Sequence, residues 1–194
     1  MGKGLLKKKT PTVFLSGKRV ELRVLDLNDD LSAYESWVND QATTKYLCSG
    51  KYPLTQEGIR KYIKQFKSGR QILLGIFTKK GHRHIGNIAL RSIDECNRNA
   101  DIGLMIGDGG VRGRGFGTEA LALMVKHAFF SLNLHRVIAG VVESNVASIR
   151  LFERLGFQKE GKLREHFYVS GRYENVFVYG LLRSEYKHGP DVFL

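Results

Sequence analysis

Proline is scarce in this chain, with three in 194 residues, and cysteine scarcer still, with Cys48 and Cys96 alone. Ordinary shares of apolar (42%) and charged (26%) residues then exclude a low-complexity or broadly disordered chain. Two cysteines so far apart offer neither paired zinc-site spacing nor a disulfide framework. They are expected to be free, buried thiols in a reducing compartment, and no metal is expected. No apolar run approaches the roughly 20 residues that span a bilayer. Met1 to Lys9 lacks the apolar core of a secretory signal. Gly2 is followed at position 6 by Leu6, which does not suit myristoylation. A cytoplasmic protein with no membrane partner is the expectation. Acid is the last shortage: 19 Asp and Glu stand against 31 Lys and Arg, a net charge of +12. That excess favours polyanionic partners, either nearby nucleic acid or a phosphorylated cofactor, although most of the lysines are accounted for by a solvated basic face.

What is present reads as one domain, long enough to bury a core without staples. Residues 1–12 read as a flexible basic arm, 13–184 as the domain and 185–194 as a C-terminal tail. Val13 to Leu25 holds two short strands around Ser16-Gly17, with Val20, Leu22 and Val24 alternating against Glu21 and Arg23. Asn28 to Asn39 reads as a helix, with Leu31, Tyr34 and Val38 on one stripe and Trp37 beside it. Gln41 to Tyr52 has no period and reads as a substrate-facing loop. A second helix starts after Thr55, its cap, and buries Ile59, Tyr62, Ile63 and Phe66. Strands follow at Gln71 to Thr78, His84 to Arg91 and Asp101 to Gly107. The clearest helix carries Leu121, Met124, Val125, Ala128 and Phe129 at i, i+3, i+4, i+7 and i+8. Arg136 to Val142 is apolar enough to be buried on both faces. A short helix runs from its cap Asn145 to Leu155 and stops at Gly156. Strand-like runs then cover Phe157 to Gly161, Arg164 to Ser170 and Tyr173 to Leu182, with a hairpin at Gly171.

The stretch after the Asp101 strand carries most chemistry. Asp108-Gly109-Gly110-Val111-Arg112-Gly113-Arg114-Gly115-Phe116-Gly117-Thr118 is a glycine- and arginine-rich loop that opens a helix. Successive glycines let backbone N–H groups turn into one concavity. The helix start adds its own unpaired N–H groups and positive dipole end, so phosphate or pyrophosphate is the ligand indicated. A Walker loop requires G-x-x-x-x-G-K-[ST], and none is present. Gly115 to Ala120 does fit the dinucleotide pattern G-x-G-x-x-A, with Glu143 closing the next strand near the place of a ribose-binding acid. Against it, about eight residues separate Gly107 from Gly115, and the chain after Glu143 is too short for the rest of a doubly wound sheet.

Arg112-Gly113-Arg114-Gly115-Phe116-Gly117 also matches R/Q-x-x-G-x-G/A. Downstream, Asn145 to Phe157 fits N-x-x-S-x-x-L-[YF]-E-x-x-G-F. In both motifs, in their order and in their separation the chain resembles the GNAT N-acetyltransferases over about residues 13–184. Leu15 to Arg23 and Gly161 to Glu165 resemble the branch that acetylates N-terminal amines of ribosomal proteins. The resemblance implies a single-domain acyl-CoA N-acyltransferase fold, α/β, with a mixed twisted sheet flanked by helices. It implies acetyl-CoA as cosubstrate and direct attack of an amine on the thioester. By the same resemblance Leu104, Met105 and Ile106 meet the pantetheine arm, Arg112, Gly113, Arg114, Gly115, Phe116, Gly117 and Thr118 hold the pyrophosphate, and Asn145 and Ser148 also contact the cosubstrate.

Acetyl transfer needs a neutral amine, a stabilised oxyanion and a proton for the leaving thiolate. Many GNAT enzymes place a tyrosine acid where this chain has Phe152, which has no proton to give. Ser148, one turn earlier on the same face, matches the serine proposed for this role in the ribosomal branch, beside a plain capping or cofactor-binding reading. Asp101 and then Glu143 are the ranked candidates for the base, with Glu165 and His166 behind them. Tyr46, Tyr52 and Trp37 are candidates for lining the acceptor pocket. The acceptor indicated is a protein N-terminal amine, possible on a ribosomal protein. The rivals are a small amine (amino sugar, polyamine or antibiotic) and a non-catalytic CoA- or nucleic-acid-binding module. Monomer and homodimer both fit.

Overall fold

The computed structural model describes residues 12–67 and 70–187. The basic arm as far as Pro11 and the tail from 188 onward lie outside the described residues. Eight strands form one sheet: β1 (Val13–Ser16), β2 (Val20–Val24), β3 (Ile72–Thr78), β4 (His84–Asp94), β5 (Asn99–Ile106), β6 (Arg136–Val142), β7 (Gln158–Val169) and β8 (Arg172–Leu182). Their order is β1-β2-β3-β4-β5-β6-β8-β7. The helices are α1 (Ser32–Asn39), α2 (Gln41–Thr44), α3 (Gln56–Lys67), α4 (Phe116–Phe130) and α5 (Val146–Arg154). This is the mixed α/β architecture expected, an open sheet flanked by helices. No helix among the described residues is long and apolar enough to cross a membrane.

Every strand pair is antiparallel except β5 with β6. That parallel ladder holds for three residue pairs only, Asn99 with Arg136 to Asp101 with Ile138. Beyond it β5 keeps its register with β4 as far as Ile106, and β6 keeps its register with β8 as far as Val142. The two strands therefore part in the middle of the sheet. The N–H of Gly107 donates to the Ile85 carbonyl (2.9 Å). By strand alternation the odd residues of β5 face β4, and Leu104 and Ile106 turn their backbone groups into the gap.

α4 packs under the opening. Its predicted stripe is fully buried, and Ala120, Ala122 and Leu123 are buried as well. The helix is covered on almost every side because Phe14 packs on His127 from one edge and Tyr186 packs on Phe129 from another. Tyr186 thus belongs to the core cluster, although its position falls in the expected tail. A second, smaller cluster (Leu25, Leu31, Tyr34, Val38, Ile59, Ile63 and Phe77) fixes α1 and α3 on the opposite face.

Several expectations need correction. The first helix begins at Ser32 rather than Asn28. The Asn28 N–H donates to the Asp26 carboxylate and the Asp26 N–H to that of Asp29, and these local turns displace the helix. The Gln41 to Tyr52 loop contains the single turn α2, capped by the Asp40 carboxylate on the Ala42 and Thr43 N–H groups. β6 is not buried on both faces: Gly140 is exposed, because it lines the opening rather than packing against a helix. β7 is one strand of 12 residues with irregularities at Lys159/Gly161 and Leu163/Phe167, not two pieces. Both cysteines are free but exposed, not buried, since Cys48 lies in the turns after α2 and Cys96 in the β4–β5 turn. Tyr62, expected on the buried stripe of α3, is 38% exposed because it borders the cavity described next.

Candidate active site

A cavity of about 550 Å³ opens where β5 and β6 part. Its floor is the sheet face carrying Asn87, Ala89 and Arg91 of β4 with Asp101, Gly103 and Met105 of β5. Tyr34, Val38, Leu54, Ile59 and Tyr62 roof it. Tyr46 to Ser49 and His166-Phe167 close one side, and Gly140 to Val142, Asn145, Ser148 and Phe152 the other. The Tyr46 hydroxyl donates to the Ser144 carbonyl (3.2 Å), which ties the loop after α2 to the start of α5.

The structure brings Asp101, Leu104, Met105, Asn145 and Ser148 together around this cavity. Asn145 caps α5, its Oδ1 accepting from the Ser148 N–H at 3.2 Å. Ser148 and Phe152 share the cavity-facing side one turn apart. Phe152 is buried between Phe157 and Tyr179. Asp101 pairs with Arg91 directly across the β4–β5 ladder, accepting from Nη2 at 2.7 Å and Nε at 3.1 Å. Glu143 is not among the lining residues. Its carboxylate accepts from Asn175 Nδ2 (2.5 Å) and Lys162 Nζ (3.3 Å). The Asn175 hydrogen bond, aided by Lys162, holds it below the usual carboxylate range. His166 lines the cavity, and Glu165 beside it opens onto the neighbouring surface. Of the three aromatics singled out, Tyr46 lines the cavity. Tyr52 is 82% exposed away from it, and Trp37 packs edge-on against His84 (5.0 Å).

The glycine loop leaves the end of β5 beside the cavity. Gly113 and Gly115 adopt positive φ (73° and 83°), which turns the chain sharply into α4. Gly115 is the N-cap and brings no side-chain cap. The N–H groups of Phe116, Gly117 and Thr118 are therefore left open at the positive end of a 15-residue helix. Gly117 lies against Leu104, Ile106 and Leu151, so a larger residue there would push the helix start off β5. The guanidinium of Arg112 is largely engaged within the protein. Nε donates to the Ile106 carbonyl (3.0 Å), and Nη2 donates to Thr43 Oγ1 (2.8 Å) and the Gly107 carbonyl (3.3 Å). It straps the loop to β5 and α2, while Arg114 is exposed.

Two further residues meet at the loop, Glu119 of α4 and Arg19 from near the start of the described chain. Glu119, buried in the first turn of α4, accepts from the Arg19 N–H (2.7 Å), the Val20 N–H (3.2 Å) and Arg19 Nε (3.2 Å). Arg19 in turn donates from Nη1 to the Arg114 carbonyl (3.0 Å) and lies 4.9 Å over the Phe116 ring. This adds a cation beside the open N–H groups. Arg19 lies in the Leu15 to Arg23 stretch that carried the branch resemblance, but nothing in the sequence assigned it to this loop.

Open N–H groups at a helix start, a strand edge turned into a gap and a cavity leading on from it fit a long, phosphate-ended thioester. The fold and site define a transferase that draws its acyl group from acyl-CoA. The profile described as "Acetyltransferase (GNAT) domain" matches residues 19–158, and the chain belongs to that family. It is 32% identical over 173 residues to the "Uncharacterized N-acetyltransferase p20" of Bacillus licheniformis, covering 87% of this chain and 96% of that one. Two solved structures share the fold. One is spermidine N-acetyltransferase from Vibrio cholerae in complex with CoA and spermine (TM-score 0.79, 24% identity, 87% of this chain and 98% of that one). The other is Mycobacterium smegmatis RimJ in complex with CoA-disulfide (TM-score 0.79, 20% identity, 92% and 90%). The chain is an acetyl-CoA-dependent N-acetyltransferase.

Proposed function

We propose that the acceptor is the N-terminal amine of a protein or peptide. One observation carries this reading. Asp101 is the single carboxylate among the described residues lining the cavity, and Arg91 already neutralises it. A polyamine brings several positive charges that need several acids, because burying an unpaired charge is costly. An N-terminal residue brings one charge together with apolar surface, and the aromatic and aliphatic walls suit that surface.

In this reading Arg114, Arg19 and the open N–H groups from Phe116 to Thr118 hold the pyrophosphate. Leu104 and Ile106 meet the pantetheine arm with backbone groups, and one N–H there polarises the thioester carbonyl. An α-amine of pKa about 8 is roughly 90% protonated at pH 7, so a proton must leave before attack. Arg91 engages Oδ1 of Asp101, and Oδ2 takes that proton, directly or through water. Glu143, engaged by Asn175 and Lys162, is left to brace β8 and β7. The Ser148 hydroxyl faces the departing sulfur. The acetyl group passes straight to the amine, with no bond to the protein.

Release of CoA thiol against a panel of short peptides, spermidine and glucosamine tests the acceptor. Turnover of peptides well above that of spermidine is expected. Preference for spermidine would overturn the reading.

A further inference from the structure

Asn87 is 5% exposed, lines the cavity floor, and its Nδ2 has no hydrogen-bond partner among the described residues. A buried amide N–H without a partner is costly, so its persistence in a binding cavity asks for a ligand. Which amide atom faces the cavity follows from His84. The His84 Nε2 lies 3.0 Å from the Gly86 carbonyl and 3.0 Å from Asn87 Oδ1. A carbonyl only accepts, so Nε2 carries the proton. The amide atom beside it must then be the oxygen, which leaves Nδ2, itself almost fully covered, as the atom without a partner in the cavity wall. The imidazole is itself fixed, stacked on Phe77 at 4.6 Å and met edge-on by Trp37 and Tyr34. Asn87 thus presents a rigid group that only donates.

Resting on the peptide-acceptor reading, we propose that Asn87 is a specificity-determining residue that donates from Nδ2 to a backbone carbonyl oxygen within the first two residues of the acceptor. The placement agrees. Asn87 lies opposite Met105, and Arg91 opposite Asp101, on the same floor. Four residues of strand separate the two levels, roughly 13 Å, which an extended dipeptide of roughly 7 Å spans with a hydrogen bond of about 3 Å at each end. The amine end lies toward Asp101 and the chain runs on past Asn87. A protonated polyamine offers donors only and meets a donor here. The same amide that receives a peptide therefore repels a polyamine.

The test compares a good peptide acceptor with analogues in which the first or the second peptide bond is replaced by an (E)-alkene, which keeps the shape and removes the oxygen. For the wild-type enzyme one analogue is expected to lose about tenfold in kcat/KM, the worth of one buried hydrogen bond. In Asn87→Leu and Asn87→Asp that discrimination should collapse toward unity while KM for acetyl-CoA holds. A general packing defect would lower all acceptors alike and leave the ratio unchanged, which would overturn the proposal. So would equal turnover of parent and both analogues by the wild type, a result that needs no variant to fold. Absence of any peptide turnover would instead sink the peptide reading, and this inference with it.

Discussion

At the scale of the residue, the proposed departure of the thiolate turns on Ser148 and Phe152. Both face the cavity from α5, and only Ser148 has a proton to offer. Ser148→Ala is expected to lower kcat about tenfold or more and to change KM for acetyl-CoA little, as judged by steady-state kinetics. A raised KM at constant kcat would make it a binding residue only. That Asn145, Ser148 and Asp101 line one cavity was legible because each belongs to a local motif or lies near the start of a strand. Glu143 was legible as a strand end, yet its engagement was not. Its partner Asn175 lies 32 residues away. Asn87 carried no signal either, since its meaning comes from His84 and the fold around it.

Among the elements, the β1–β2 turn and the first turn of α4 form one clamp. The Glu119 carboxylate satisfies two backbone N–H groups of that turn and grips Arg19, which leans over the glycine loop. Glu119→Ala strands those donors in a buried place. A loss of about 2–3 kcal/mol in urea unfolding is expected, together with a raised KM for acetyl-CoA, because Arg19 and the loop lose their anchor. Periodicity had made α3, α4, α5 and most strands readable. It did not show how completely α4 is enclosed, because Phe14 and Tyr186 reach it from distant segments. Nor did it show β7 as a single strand, whose irregularities break the alternation that a strand is read by.

For the molecule as a whole, each of the two clusters on either face of the sheet holds a histidine that makes it sensitive to acid. His84 sits in the smaller one, and burial lowers its pKa below the ordinary value of about 6.5. His127, on α4, is lowered by burial as well. Unfolding returns both to water. Between their depressed folded pKa and about 6.5 the unfolded chain binds more protons, so stability rises with pH across that window and is lost as pH falls through it. The thermal midpoint is expected to drop between about pH 7.5 and about pH 5.5, and to drop less in His84→Gln. An unchanged slope in that variant would show that His84 is not the group responsible.

The parting of β5 from β6 bears on stability too. Three residue pairs and a helix join the two halves of the sheet. A molecule lying along Leu104 and Ile106 takes the place of a neighbouring strand's edge. In the proposed binding mode cosubstrate serves as a removable ninth strand, and loading the enzyme is also the last step of closing its sheet. At a concentration of about 100 times Kd that closure is worth about 2.7 kcal/mol.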